Sequence, residues 1–141
     1  TRGSDVLAVF HPPALADYQV TAIRGPDGPL EGTRKIPGDL AHVHLVLEPA
    51  AKLLPQLRGW FPRAWIVGWK YELEGTRDEA AEAARLQSAG GFADSTIPNG
   101  AAYGPGFGLF ENGKTSLHFD TKNALARHLA NRASHKASSG R

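Results

Sequence analysis

The chain has 141 residues, of which 41% are hydrophobic and 21% charged, a composition that suits one folded domain and excludes a disordered chain. Its formal net charge of +2, part of it in the terminal segment RASHKASSGR, gives little support to nucleic-acid binding. Because the sequence contains no cysteine, disulfides, thiolate catalysis and cysteine-ligated metals are excluded.

The first half of the chain alternates apolar runs with turn-forming segments. DVLAVF, from Asp5 to Phe10, predicts a short buried strand that the following HPP ends. RGPDGPLEG is dense in glycine and proline and predicts a loop. HVHLVLE alternates and predicts a strand with one wet face, whereas KLLPQLRGWF has helical spacing, with Pro55 in its first turn or at a kink.

The second half gives clearer signals for each element. AWIVGW predicts a second buried strand, and Thr76 with Glu79 forms a capping-box pattern at the start of a helix that a Gly-Gly pair ends. ADSTIPNG predicts a third strand of the same kind. GLFENGKTSLHF is typical of a β-hairpin turned at Asn112-Gly113, and TKNALARHLANR predicts a closing helix.

This order of elements predicts an α/β fold. We expect a Rossmann-like, three-layer arrangement in which a parallel sheet carries helices on both faces, with an added β-hairpin. The predicted boundaries are a partial α/β domain over residues 1–131 and a basic, flexible tail over 132–141. Because three parallel strands make a thin sheet, we expect a preceding segment or another chain to cover its exposed edge.

Candidate site residues follow three of the predicted strands. Ligands of open parallel sheets lie beyond the carboxyl ends of the strands. That rule brings together HPPALADY after the first strand, GWKYE after the second and NGAAYGPGFG after the third. Each segment alone also fits an ordinary polar loop, whereas the combination favours a binding site.

Four segments, in this order, resemble the phosphopantothenate–cysteine ligase domain of the coenzyme A pathway, also called the DNA/pantothenate metabolism flavoprotein family. DVLAVFHPPALADY is similar to the family's apolar strand and small-residue run, and RKIPGDLAHVHLVLEPAAKLL to its flexible lysine flap and returning strand. IVGWKYE is similar to a Val-Gly-Phe strand end, and STIPNGAAYGPGFGLF to an Asn-Asp loop before a hairpin. The resemblance runs from Asp5 to about Asn131 and implies that the family's N-terminal βα segment is lacking here.

In the first half of the chain, the resemblance implies a nucleotide site and a catalytic lysine. Ala14 and Ala16 lie in the small-residue run, where the backbone must approach the nucleotide closely. Asp17 matches the aspartate that holds the nucleotide, although an Asx turn or a helix cap explains it equally well without the resemblance. Lys35 matches the flap lysine, which would neutralise phosphate oxygens as pyrophosphate leaves, with Arg34 as an alternative donor and a solvated loop charge as the plain alternative.

Further candidates come from the later strand ends. They are the nucleotide-binding residues Gly68, Trp69, Lys70 and Phe107 and the second catalytic residue, Asn99. The Trp69 ring can stack on a nucleobase or fill the core, and Lys70 can reach phosphates or pair with Glu72. Asn99 would orient the ligand, although Asn-Gly also signals a turn. Phe107 would line the pocket or pack beneath the loop.

Several positions depart from the family's pattern. Pro12 and Pro13 each remove a backbone N–H from the first loop, and Gly100 replaces the aspartate of the Asn-Asp pair. Pro37-Gly38 stands where relatives carry a serine. These departures put nucleotide choice and activity in question.

Other kinds of site find less support. His42 and His44 share a strand face without a third ligand, so we expect no metal site in the protein itself. GPGFG lacks the lysine and serine of a phosphate loop. Arg77 and Arg85 either face phosphate or belong to a solvated helix face, and the solvated face is the expectation.

The resemblance implies a ligase that joins phosphopantothenate to cysteine through an acyl-nucleotide, with Mg²⁺ and either CTP or ATP as co-substrate. It implies a homodimer, and we expect no bound flavin and no nucleic-acid partner. No apolar run is long enough to span a bilayer and no secretory signal is visible, so we expect a cytoplasmic protein without a membrane partner. The alternatives are a non-catalytic nucleotide-binding or assembly module and a fragment of a longer bifunctional decarboxylase/ligase.

Overall fold

The structure is a computed structural model that describes residues 6–12, 17–30 and 35–139. In chain order, the strands are β1 (Ala8–His11), β2 (Tyr18–Gly25), β3 (Gly28–Pro29), β4 (His44–Pro49), β5 (Trp65–Tyr71), β6 (Ser95–Asn99), β7 (Phe107–Glu111) and β8 (Lys114–Phe119). The helices are α1 (Leu54–Trp60), α2 (Arg77–Ala89) and α3 (Lys122–Ser139).

The chain divides into two compact units where the sequence predicted one domain over 1–131. The larger unit combines Thr1–Ala14 with Leu53–Arg141, and the smaller one is Leu15–Lys52. The strands β2, β3 and β4 of the smaller unit form their own three-stranded sheet. This separate pairing is the physical basis of the division.

The larger unit contains a five-stranded sheet in the order β1-β5-β6-β7-β8. The strands β1, β5 and β6 are parallel, with Ala8 in register with Trp65 and Val67 with Ser95. The pairs β6–β7 and β7–β8 are antiparallel. The predicted α/β fold, with three parallel strands and an added hairpin, is therefore confirmed.

One face of this sheet packs against α3. Trp65 and Val67 point to that face because side chains alternate along a strand. They form a buried cluster with Leu125 and Leu129 of α3, the two leucines predicted to share a helix face. The closing helix thus supplies one of the two helical layers.

The opposite face packs against α1 and α2. Ile66 lies in a second buried cluster with Leu57 of α1. The side chain of Thr96 points to the same face, since its register partner Gly68 is two residues beyond Ile66, and it accepts a hydrogen bond from Gln87 of α2 at 3.2 Å. Helices on both faces make the predicted three layers.

The structure confirms two predictions that rest on short sequence signals, the hairpin turn and the position of a proline in α1. Asn112 has φ 47° and Gly113 has φ 75°, the left-handed pair that a tight two-residue hairpin requires. Pro55 lies in the first turn of α1, where its missing N–H removes no helical hydrogen bond.

The smaller unit differs from its prediction. The glycine- and proline-rich segment predicted as a loop forms a short hairpin, because Gly25 of β2 pairs with Gly28 of β3. The predicted strand HVHLVLE is present as β4, but all six of its residues are exposed, so the prediction of one wet face and one buried face is wrong. An apolar pattern alone does not show that another layer of structure packs against the strand and buries it.

The closing helix is longer than the sequence suggested. It continues to Ser139, through most of the segment predicted as a flexible tail. Residues 132–139 contain neither glycine nor proline, so the backbone meets no helix breaker before Gly140. Among the helices of the described residues, none is long and apolar enough to cross a membrane.

The start of α2 is a complete capping box. The backbone N–H of Thr76 donates to Glu79 Oε2 at 2.7 Å, and the backbone N–H of Glu79 donates to Thr76 Oγ1 at 3.3 Å. The backbone and side-chain hydrogen bonds from Thr76 hold the pKa of the Glu79 carboxyl below its ordinary value. The cap therefore stabilises the fold when the Glu79 carboxyl is ionised.

We predict that Glu79→Gln flattens the pH dependence of stability in acid. The folded pKa of Glu79 is lowered, so its contribution is present above its ordinary pKa of 4.5 and is lost as pH falls through the folded value. Urea unfolding midpoints measured at several pH values from neutral to about pH 3 check this. Asp78→Asn is the matched control, because it removes the same charge from the same helical turn. Equal flattening by both variants would contradict the role of the cap.

Candidate functional site

Four of the candidate residues lie at one edge of the five-stranded sheet. The carboxyl ends of β1, β5 and β6 are adjacent there, with His11 in register with Gly68 and Tyr71 in register with Asn99. By strand alternation, Trp69 and Asn99 point to the face that α3 covers, whereas Gly68 and Lys70 point to the other face. This edge is where open parallel sheets bind ligands.

The two aromatic candidates pack against the core. Trp69 and Phe107 are partly buried and contact the cluster that contains Trp65 and Leu129. Each ring therefore has a structural role and keeps part of its surface outside the core. Only that remaining surface is available for a ligand.

Asn99 has an unsatisfied acceptor at the end of β6. Its Oδ1 is buried and has no hydrogen-bond partner in the described part of the chain, while its backbone carbonyl accepts the N–H of Glu72 at 2.9 Å. A buried acceptor without a donor costs free energy, and buried polar atoms of this kind usually meet a water or a ligand. The Nε2 atom of His11, at the end of β1, is in the same state.

The loop after β6 is fixed by the backbone of Glu72. The N–H of Ala102 donates to the Glu72 carbonyl at 3.1 Å. Gly100 has φ 112°, and a Cβ built there would lie 2.9 Å from the Glu72 nitrogen and closer still to its carbonyl oxygen. The backbone at this position therefore strongly favours glycine.

Lys70 and Gly68 have structural partners. Lys70 Nζ lies 2.9 Å from Glu72 Oε1, in the ion pair that the sequence offered as the plain alternative to phosphate binding. A Cβ at Gly68 would lie 2.8 Å from Gln87 Nε2 and 3.2 Å from Leu54 Cδ2. Glycine at this position lets α1 and α2 approach β5.

Two candidates belong to the smaller unit. Asp17 forms an ion pair with Lys52, and its carbonyl accepts the N–H of Ala50 at 2.8 Å, next to the pairing of β2 with β4. Lys35 is exposed. The candidates Ala14 and Ala16 lie outside the described residues, and so does Arg34.

A cluster that the sequence did not predict lies at the start of α2. Arg77 Nη2 is 3.5 Å from the Tyr103 hydroxyl and 3.3 Å from His118 Nδ1, and the guanidinium carbon is 4.6 Å from the centre of the Tyr103 ring. The sequence favoured a solvated position for Arg77 and gave Tyr103 and His118 no role. The one available signal was an aromatic residue inside a glycine-rich loop.

In the part of the chain that the structure describes, histidine and carboxylate side chains do not gather into a metal centre. The rings of His42 and His44 are 5.1 Å apart at their centres, in an edge-on arrangement. Within 6–12, 17–30 and 35–139, no group of three or more His, Asp or Glu side chains is placed to hold a metal ion.

Comparison with known proteins gives matches among solved structures. No protein-family model matches the sequence, and no curated protein matches it significantly. The chain is similar to the DNA/pantothenate metabolism flavoprotein from Streptococcus pneumoniae, with a TM-score of 0.74 and 19% identity over 95% of this chain. Two structures of a Cab2 mutant match with TM-scores of 0.56 and 0.55, at 15% and 17% identity over 89% and 86% of this chain.

One of the Cab2 structures is a complex with phosphopantothenate-cysteine. The chain spans 65% of the length of the flavoprotein and 43% and 38% of the two Cab2 chains. At these identities the similarity establishes a shared fold. The fold implied by the sequence resemblance is thereby confirmed.

We predict that Gly100→Ala destabilises the fold much more than Gly104→Ala. Both glycines have positive φ, but a Cβ at Gly104 meets no atom within 4 Å, so only backbone strain of about 1–3 kcal/mol is expected there. At Gly100 the clash with the Glu72 backbone should add about 1–3 kcal/mol. Free energies of unfolding from urea titration measure both. Equal losses would show that the loop moves away from Glu72 without cost.

Proposed function

We propose that the chain is a cytoplasmic ligase-type domain that joins phosphopantothenate to cysteine, with CTP or ATP and Mg²⁺. The observation that carries the proposal is the shared fold over 95% of the chain with a flavoprotein of pantothenate metabolism. The further similarity to a Cab2 chain that holds phosphopantothenate-cysteine supports it.

The proposed reaction has two steps. A carboxylate oxygen of phosphopantothenate attacks the α-phosphorus of the nucleotide, and the bond to the leaving pyrophosphate breaks. The amine of cysteine then attacks the acyl carbon, forms the amide and releases the nucleoside monophosphate. Mg²⁺ would balance the negative charge of the triphosphate.

In this proposal Lys35 neutralises charge on the phosphate oxygens during the first step. An exposed lysine suits that role, because it can reach a polyanion without first losing a buried partner. Asn99 positions the acyl substrate. The buried Oδ1 of Asn99 lacks a donor, and the hydroxyl and amide N–H groups of phosphopantothenate can donate to it.

The nucleotide would be held by Asp17 and by the exposed part of the Trp69 ring. Asp17 can accept hydrogen bonds from a ribose or a base amine, in exchange for part of its interaction with Lys52. The Trp69 ring can stack on a nucleobase. The other nucleotide-binding candidates of the proposal are Ala14, Ala16, Gly68, Lys70 and Phe107.

We predict that the protein releases pyrophosphate from CTP or ATP in the presence of phosphopantothenate before cysteine is added. Lys35→Ala should lower that rate by about 100-fold or more, the typical loss when one group that stabilises developing charge is removed. Lys35→Arg should keep part of the activity, and Lys122→Ala, at the start of α3, should keep all of it.

The outcomes separate the proposals. No pyrophosphate from the folded protein with either nucleotide would contradict a self-sufficient ligase. The second candidate, a nucleotide-binding module without catalysis, is favoured by the backbone at Gly100, which cannot carry the family's aspartate. Saturable quenching of tryptophan fluorescence by a nucleotide, lost in Trp69→Phe and without pyrophosphate release, would support that candidate.

We also propose that the smaller unit forms a homodimer interface. By register and alternation, Val20 and Ile23 of β2 share one sheet face with Leu45 and Leu47 of β4. Val20, Leu45 and Leu47 are each about half exposed, and such apolar patches commonly mark interaction sites. A second copy of the same face would bury it through a symmetric contact.

We predict that the wild-type protein has the mass of two 15.1 kDa chains in light scattering after size exclusion. Leu47→Lys should give monomers, because it places a charge in the apolar face. Val46→Lys is the control, since Val46 points to the opposite face of the same strand. A monomeric wild type at high concentration would overturn the dimer.

A further inference from the structure

We infer that the pocket between the start of α2 and the β7–β8 hairpin is a second binding site, which takes a small carboxylate with an apolar body. Its volume is about 340 Å³. Arg77 and His118 line its polar side, and Tyr103, Phe110 and Leu117 are among its other lining residues. None of the residues assigned to the ligase reaction lines it, so this inference stands apart from that proposal.

Arg77 offers free donors to a ligand. A guanidinium has five N–H donors, and the hydrogen bonds of Arg77 to Tyr103 and His118 both use Nη2. In the described part of the chain, the donors on Nε and Nη1 have no partner. These two donors point to different sides of the guanidinium, so a carboxylate can accept a charge-assisted hydrogen bond from either of them.

The contacts of Nη2 hold the guanidinium in place. Because Arg77 can only donate, a hydrogen bond between them needs His118 Nδ1 as the acceptor, and the tautomer that makes it presents Nε2–H to Asp120 Oδ1, 3.4 Å away. The Tyr103 hydroxyl lies 3.3 Å from the same Nδ1, and the Tyr103 ring lies under the guanidinium. Stacking and hydrogen bonds together orient the arginine before any ligand binds.

Buried aromatic residues form part of the pocket wall. Tyr103 is 5% exposed and Phe110 is 4% exposed. A Cβ at Gly108 would lie 2.5 Å from the Tyr103 hydroxyl, and one at Gly106 would lie 2.7 Å from the His118 ring. Gly106 and Gly108, two of the three glycines of the segment GPGFG, therefore make room for the side chains that build the pocket.

The charges select the class of ligand. Asp78 also lines the pocket, and its carboxylate repels a second negative charge, which favours a monoanion over a phosphate. The apolar wall favours a hydrocarbon or aromatic body. The volume lies near the lower end of the range for small-molecule sites, roughly 300–1,000 Å³.

Phenylacetate is a suitable probe, titrated into the full chain and followed by NMR shifts of backbone amides. We expect saturable shifts centred on Tyr103, Phe110 and His118, and none of comparable size with inorganic phosphate or with benzyl alcohol, which lacks the charge. Arg77→Leu should weaken phenylacetate binding about tenfold or more, the scale for a lost hydrogen bond to a charged group.

Arg85→Leu is the matched control and should leave binding unchanged, because it removes the same charge from the same helix and Arg85 does not line the pocket. Both arginines are at least partly exposed, and the amide spectrum of each variant reports whether it is folded. His118→Gln is a second test, and a binding loss is expected because it disturbs the orientation of Arg77. Equal losses from the two arginine variants, phosphate binding as tight as phenylacetate, or no saturable response would overturn the inference.

Discussion

The side chain of Trp65 connects more elements of the larger unit than any single strand pairing does. Its indole N–H donates to Ser95 Oγ at 2.9 Å, and that hydroxyl donates to Glu111 Oε1 at 3.1 Å. Glu111 pairs with Arg132 at 2.8 Å, and the Arg132 guanidinium lies 4.8 Å from the centre of the Trp65 ring. Phe10 meets the same ring edge-on. These partly buried polar contacts join β5, β6, β7 and α3 in a closed circuit, and Phe10 adds β1, so the sheet and its covering helix depend on each other.

The two ends of the parallel strands are chemically different. At the amino end, Asp94 Oδ2 accepts the backbone N–H of Ile66 at 2.8 Å, and Arg58 pairs with the same carboxylate at 2.7 Å. Those polar groups satisfy one another. At the carboxyl end, Asn99 Oδ1 and His11 Nε2 are buried without partners among the described residues. The fold thus completes its hydrogen bonding at one edge and leaves acceptors or donors available at the other, where ligands of such sheets bind.

Local signals in the sequence were enough to predict most of the larger unit. Two of these signals act over a few residues and can be recognised from the sequence alone: the capping pair Thr76 and Glu79, and the Asn112-Gly113 turn. The smaller unit was harder to predict, because β2 pairs with residues of β4 that lie 20 to 31 positions away. Most of its large apolar residues are exposed, so an apolar pattern does not report burial there. The Arg77 cluster was missed for the same reason, since 41 residues separate Arg77 from His118 and neither belongs to a recognisable motif.

The contact between Gly100 and the backbone of Glu72 changes what the Asn-Gly dipeptide means when sequences are compared. The sequence resemblance sets this glycine against an aspartate, a difference that would ordinarily count as the loss of one functional side chain. In this chain the main chain at Glu72, directly after β5, occupies the space that a side chain at position 100 would need. Positions 72 and 100 therefore form a coupled pair, because a side chain at position 100 requires the main chain at Glu72 to move. An alignment that compares the dipeptide residue by residue would record a change of chemistry at a position where this chain has a constraint on its backbone.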